Sequence, residues 1–129
     1  MSIYESGEDY LLAILVIQER KGICHSIDVA EETGYSKASV SIAMKKLREN
    51  NYIQMNKDGS LVLLESGKKV AEKIHERNLI LTEYFKQLGV KEEIAYRDAH
   101  KIEHDLSDDT FEKIKYHYLQ HKKTGYFDK

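Results

Sequence analysis

The chain has 129 residues, 41% hydrophobic and 33% charged, with a formal net charge of −2. That is enough apolar material for one compact domain or two very small ones, and the near-neutral balance excludes a uniformly basic nucleic-acid glove. Proline is absent, which favours long uninterrupted helices, and the single cysteine, Cys24, excludes an intramolecular disulfide. Nothing argues for secretion, and Cys24 reads as a small buried hydrophobe. The longest apolar run, Tyr10 to Ile17, is too short to cross a bilayer and has no basic segment before it. The expected location is cytoplasmic, with no membrane partner.

The first predicted helix runs from Tyr4 to about Arg20. Ser6 is expected as its N-cap, with Asp9 reaching back in a capping box. Leu11, Leu12, Ile14, Leu15, Val16 and Ile17 make it apolar almost all round, so it should lie between other elements. Lys21-Gly22 ends it.

The stretch from Ser26 to Asn51 reads as a helix-turn-helix. Ala30 is small where a second helix must come close. Gly34 stands where the turn needs a positive φ, and Val40 should plug the angle between the helices. Ser36 is expected to cap the second helix, whose Val40, Ala43, Met44 and Leu47 recur at inward-facing spacing. Lys37, Ser39, Ser41 and Lys45 are left outside, a face of short polar and basic side chains able to enter a major groove. Ser36, Lys37, Ala38, Ser39, Ser41 and Lys45 are therefore candidate DNA contacts. The bland alternative is a helical hairpin with a solvated face. From Ser36 to Lys57 five cations stand against Glu49 alone, a local charge of +4 suited to phosphates.

Tyr52 to Met55 and Leu61 to Leu64 should pair as a hairpin. Asp58-Gly59 favours a tight primed turn, and Lys57 at the tip is a further candidate DNA contact. A hairpin directly after a recognition helix is a wing.

A long helix is expected from Glu65 or Ser66 to about Leu88, with Ala71, Ile74, Asn78, Leu81, Phe85 and Leu88 as its packing seam and Gly89 as its stop. The next helix should run from Glu92 to about Asp105. Ser107 should cap a last helix holding Phe111, Ile114, Tyr116 and Leu119, and from His121 onward no period is clear. Between Glu92 and Glu112 eight acids face two bases, so this end could hold cations. The expected architecture is mainly α. Residues 1–68 form a winged helix-turn-helix domain with a two-stranded wing, and residues 69–129 a helical dimerisation and metal-binding domain.

His100-Lys101-Ile102-Glu103-His104 places two imidazoles and a carboxylate at i, i+3 and i+4 on one helix face, a ligand set for a divalent transition ion. A solvated His/Glu face is the alternative. The same spacing occurs in a class of zinc peptidases, but these need a further ligand well downstream and a substrate cleft. An enzyme is not expected, and a metal-dependent hydrolase stands only as an alternative.

Taken together, Glu8-Asp9-Tyr10-Leu11, the Ala30/Gly34/Val40 motif, Leu63-Leu64-Glu65-Ser66-Gly67-Lys68-Lys69, Leu88-Gly89-Val90 and Ile102-Glu103-His104 resemble the diphtheria-toxin-repressor family of metal-dependent transcriptional regulators. The similarity runs from about Glu8 to Leu119 and points to the short manganese-regulator branch, without a third SH3-like domain. The resemblance implies a homodimer built through the C-terminal helices, a palindromic operator, and a metal ion tying the C-terminal half to the first helix. It places the metal site on Asp9, Leu12, Asn78, His100, Glu103 and His104. His100 replaces a family Glu or Cys, Leu12 replaces a carboxylate and cannot ligate, and Asn78 replaces a histidine. Thr82 falls where the longer branch has an ancillary carboxylate. The expectation is a regulator, most simply a repressor, holding about one divalent ion per chain: manganese, iron, cobalt, nickel or zinc. A regulator of the same fold that has lost its metal dependence is the nearer alternative.

Overall fold

The computed structural model describes residues 5–124 of the chain. Six helices and one two-stranded antiparallel sheet follow in the order α1 (Glu5–Lys21), α2 (Ser26–Thr33), α3 (Lys37–Glu49), β1 (Ile53–Met55), β2 (Leu61–Leu63), α4 (Glu65–Gln87), α5 (Glu92–Ile102) and α6 (Asp108–Thr124). Internal contacts divide it into two compact units, Met1–Lys73 and Ile74–Lys129, so α4 contributes to both.

The N-terminal unit is built on α1. Leu11, Ile14 and Ile17 are fully buried against Val29 of α2, Val40, Met44 and Leu47 of α3, Ile53 of β1 and Leu61 of β2. Burying each such side chain contributes about 1.5–3 kcal/mol, which makes this apolar cluster the main support of the unit. Ser6 lies inside the first turn of α1 and is not the N-cap expected of it. The expected start at Tyr4 lies outside the described residues. α2 is held at its start by a residue the sequence did not single out: the His25 backbone N–H donates to Asp28 Oδ2 at 2.8 Å. This bond, with the Lys21 ammonium, lowers the Asp28 carboxyl below its ordinary range. Cys24 is fully buried, and desolvation, reinforced by Asp28, pushes its thiol up to about 11. It is therefore a protonated packing residue at neutral pH.

The helix-turn-helix forms as its spacing predicts. Gly34 has φ 77° and ends α2, and the Ser36 hydroxyl accepts the Ser39 N–H at 3.1 Å to cap α3. The end of α3 was less legible. Asn51 is left-handed at φ 62°, Tyr52 N–H reaches the Leu47 carbonyl at 2.9 Å, and Asn51 N–H reaches Arg48 at 3.1 Å. This double closure satisfies the last carbonyls of the helix and turns the chain into β1.

In the wing, Ile53 pairs with Leu63 and Met55 with Leu61. The turn is not the two-residue primed one expected from Asp58-Gly59. Gly59 N–H bonds back to Asn56 at 2.9 Å, Asn56 N–H to Ser60 at 2.8 Å, and only Gly59 of the loop has positive φ. A three-residue loop, Lys57-Asp58-Gly59, ending in a left-handed glycine satisfies the same ladder, and the Asp58 carboxylate holds Ser60 N–H at 2.9 Å.

The C-terminal unit has a smaller core of Leu81, Ala99 and Phe111, with Ile80, Phe85, Ile102, Leu106 and Ile114 around it. Ser107 caps α6 through the Thr110 N–H at 3.1 Å, as expected. Three expectations are corrected. Leu88 lies beyond the end of α4 and is 54% exposed. α5 ends at Ile102, so Glu103 is its C-cap and His104 lies in the turn that follows. α6 continues through His121 to Thr124, because no helix breaker intervenes before Gly125. The rest of the tail lies outside the described residues.

Candidate functional site

The face of α3 expected to meet DNA is open to solvent. Lys37, Ala38, Ser39, Ser41 and Lys45 are exposed, as are Ser36 at the cap and Lys57 at the wing tip. Val40, Met44 and Leu47 point the other way into the core. Ser36 has a second task, since its hydroxyl also donates to Ser39 Oγ at 2.9 Å, which fixes both side chains at the start of the helix. Ile42 stands on the same exposed surface and was not singled out from the sequence. A phosphate contact carries no sequence information but releases counterions. Lys57→Ala should therefore weaken DNA binding on every sequence and flatten the salt dependence by about one unit of slope. Titrations of the parent and variant at several salt concentrations check this, and an unchanged slope would remove the wing from the interface.

The second constellation lies in the C-terminal unit. Glu103 is completely buried, while the His100 side chain beside it is 49% exposed. His100 Nδ1 lies 2.8 Å from Glu103 Oε1, and the His100 and His104 rings meet edge-on with centroids 6.1 Å apart. Asn78 is buried on α4, and Asp9 is partly buried on α1 in the other unit. Leu12 is partly buried and offers no donor atom. Among the described residues, no three His, Cys, Asp or Glu side chains already converge as a group that could hold an ion. The donor chemistry nevertheless fits a borderline divalent cation: a carboxylate withdrawn from water, with imidazole nitrogen next to it and a second imidazole one residue on.

Arg77 was not legible as part of this region. Its side chain is almost fully buried, and its Nη1 donates to the carbonyls of Glu103 at 2.9 Å and Leu106 at 2.6 Å. Its Nη2 donates to Asp108 Oδ1 at 2.6 Å, and the guanidinium lies 5.2 Å from the centre of the Phe111 ring. One cation thus pins the turn that carries Glu103 and His104. The sequence carries little signal for it, since Arg77 stands in the polar run His75-Glu76-Arg77-Asn78 of α4.

Comparison with known proteins bears on both constellations. Residues 2–61 match the N-terminal DNA-binding domain of the iron-dependent repressors, and residues 64–124 match the metal-binding and dimerisation domain of the same repressors. The chain is 34% identical over 109 residues to the HTH-type transcriptional regulator MntR of Geobacillus kaustophilus, covering 84% of this chain and 77% of that protein. The chain belongs to the diphtheria-toxin-repressor family. MntR of Bacillus subtilis shows the same identity and coverage. A solved manganese-dependent transcriptional repressor in complex with manganese superposes with a TM-score of 0.78 at 25% identity, covering 87% of this chain. The metal-dependent regulator MtsR superposes at 0.75 and 27% identity over 84% of the chain. The chain spans about half the length of these two solved proteins, 52% and 51%. As a member of the diphtheria-toxin-repressor family it is a DNA-binding transcriptional regulator with a metal-binding and dimerisation domain, and not an enzyme. No helix among the described residues is long and apolar enough to cross a membrane.

Proposed function

We propose that the protein is a cytoplasmic homodimeric repressor whose hold on a two-fold-symmetric operator depends on about one divalent transition ion per chain. Residues 1–68 serve as the DNA-binding domain and residues 69–129 as the dimerisation and metal-binding domain. Lys37, Ala38, Ser39, Ser41 and Lys45 face the major groove, Ser36 sets the start of the helix, and Lys57 meets the backbone from the wing.

His100, Glu103 and His104 are the core of the ligand set. Asn78 is added as a neutral oxygen donor, and Asp9 enters on the family resemblance. The buried Glu103 carboxylate beside His100, inside the segment matching the family's metal-binding domain, is the observation that carries the metal reading. Manganese, iron, cobalt, nickel and zinc all suit two nitrogen and two carboxylate ligands, and His100 in place of a carboxylate shifts preference toward the later members.

The dimer reading rests on the thin core of the C-terminal unit and on its exposed apolar side chains, among them Leu79, Leu88, Ile94, Tyr96, Tyr116 and Leu119. Phe111 is buried within its own protomer and is not available to an interface. A regulator that has shed its metal dependence is the second reading, favoured by Leu12 and Asn78 at positions where the family ligates.

Calorimetric titration of chelator-treated protein with manganese, cobalt and zinc tests the metal site. A stoichiometry near one per chain in the parent, absent from His104→Ala, is expected, with thermal stability rising as ion is added. Equal binding by the variant would contradict the assignment.

A further inference from the structure

Ile42 is 59% exposed, the most exposed of the large hydrophobic side chains among the described residues of the N-terminal unit. It takes no part in the apolar core, to which its helix contributes Val40, Met44 and Leu47. Exposed isoleucines are not unusual in themselves. Ile23 and Ile27 are others here, but neither lies on the helix expected to enter DNA. Ile42 lies in the middle of α3, next to the row Lys37, Ser41 and Lys45, all exposed. One helical turn before it stands Ala38, also exposed, so the two form a short apolar strip at i and i+4 bordered by cations and hydroxyls. A branched apolar residue on a solvated helix lowers helix propensity relative to alanine, and here no core packing compensates for it. The apolar feature that a major groove offers is the thymine C5-methyl group.

We propose that Ile42, with Ala38 beside it, forms an apolar contact that reads a thymine methyl in each half of the operator. This rests on α3 lying in the major groove, as proposed above. The local charge of +4 between Ser36 and Lys57 makes duplex DNA the occupant of this face. Lys37, Ser41 and Lys45 fix the helix against phosphates and base edges, and Ile42 supplies discrimination where hydrogen bonding cannot tell thymine from uracil.

The test uses the full-length protein with manganese and the duplex it selects from a random-sequence library. Each thymine is replaced in turn by deoxyuridine, which keeps every hydrogen-bonding group and loses only the methyl. The parent should lose roughly three- to five-fold in affinity at one thymine per half-site, the value of one buried methyl-sized group. Ile42→Ala should bind the thymine duplex more weakly and show no thymine-to-uracil difference at that position. The ratio is taken within each variant, so a small change in folded fraction cancels. A variant that keeps the parent's ratio, or a parent indifferent to every replacement, overturns the proposal while leaving α3 in the groove. If the library yields no preferred sequence at all, the groove reading falls first and takes this proposal with it.

Discussion

Arg77→Met should destabilise the C-terminal unit by about 3 kcal/mol. The methionine keeps the apolar stem over Phe111 but leaves the carbonyls of Glu103 and Leu106 without their buried donor. Hydrogen bonds to a charged donor contribute about 1.5–3 kcal/mol each, and abandoned carbonyls cannot all recover water. The partner carboxylate of Asp108 is 71% exposed, so that ion pair contributes little beside the two carbonyl bonds. The melting temperature should fall by about 10 °C. Because the same turn carries Glu103 and His104, metal affinity measured well below the transition should fall as well. Arg77→Lys, with one donor group where the fork has two, should recover only part of either quantity. Thermal unfolding followed by circular dichroism, beside calorimetric metal titration, checks this. A melting temperature within a degree or two of the parent would show that the turn holds without Arg77.

Gly67→Ala should also be strongly destabilising, although alanine is ordinarily the better helix former. Gly67 lies in the first turn of α4, where the helix presses against the chain leaving α3. A Cβ there would overlap the Tyr52 carbonyl oxygen, and would stand 3.1 Å from its carbon and 3.3 Å from Leu11 Cδ2. The neighbour is backbone and cannot rotate away. It is also engaged, since the Tyr52 carbonyl accepts the Leu64 N–H at 3.0 Å, and Ser66 Oγ donates to the Asn51 carbonyl at 2.7 Å alongside. Relieving the overlap must move β1 or the start of α4. Overpacking of this kind costs about 1–3 kcal/mol or more, against the roughly 1 kcal/mol that alanine gains from propensity. A net loss of about 2 kcal/mol is expected, with weaker DNA binding because the wing shifts relative to α3. Chemical denaturation of the two proteins measures it, and a gain in stability would show that the backbone accommodates the methyl.

Both predictions concern residues whose importance was hard to read from sequence, and for one physical reason. Ala30, Gly34, Ser36 and Val40 declare a helix-turn-helix because each acts within a few residues of itself. Ser107 and Gly89 were legible on the same ground. Arg77 acts on carbonyls 26 and 29 residues away, and Gly67 matters because of a backbone 15 residues earlier. The wing was placed correctly, but its turn type was not, since Asp58-Gly59 is compatible with two loop lengths and the register decides between them. The spacing of His100, Glu103 and His104 shows that three donors stand close along the chain. It does not show that Glu103 turns fully inward while His100 stays half in solvent, which follows from where α5 ends and how the next turn is held. Ile42 escaped notice because an isoleucine inside a helix is ordinarily counted toward its core face.

The central claim is that metal and DNA binding are coupled in this chain. Fluorescence anisotropy of the library-selected duplex, with chelator-treated parent and Glu103→Gln, measured with and without manganese, tests it most directly. The parent should bind about ten-fold or more tightly with the ion, within the usual range of coupling between two sites, and Glu103→Gln should show no such gain. Equal affinity of the parent with the ion and with excess chelator would contradict the coupling and leave a metal-independent regulator of the same fold.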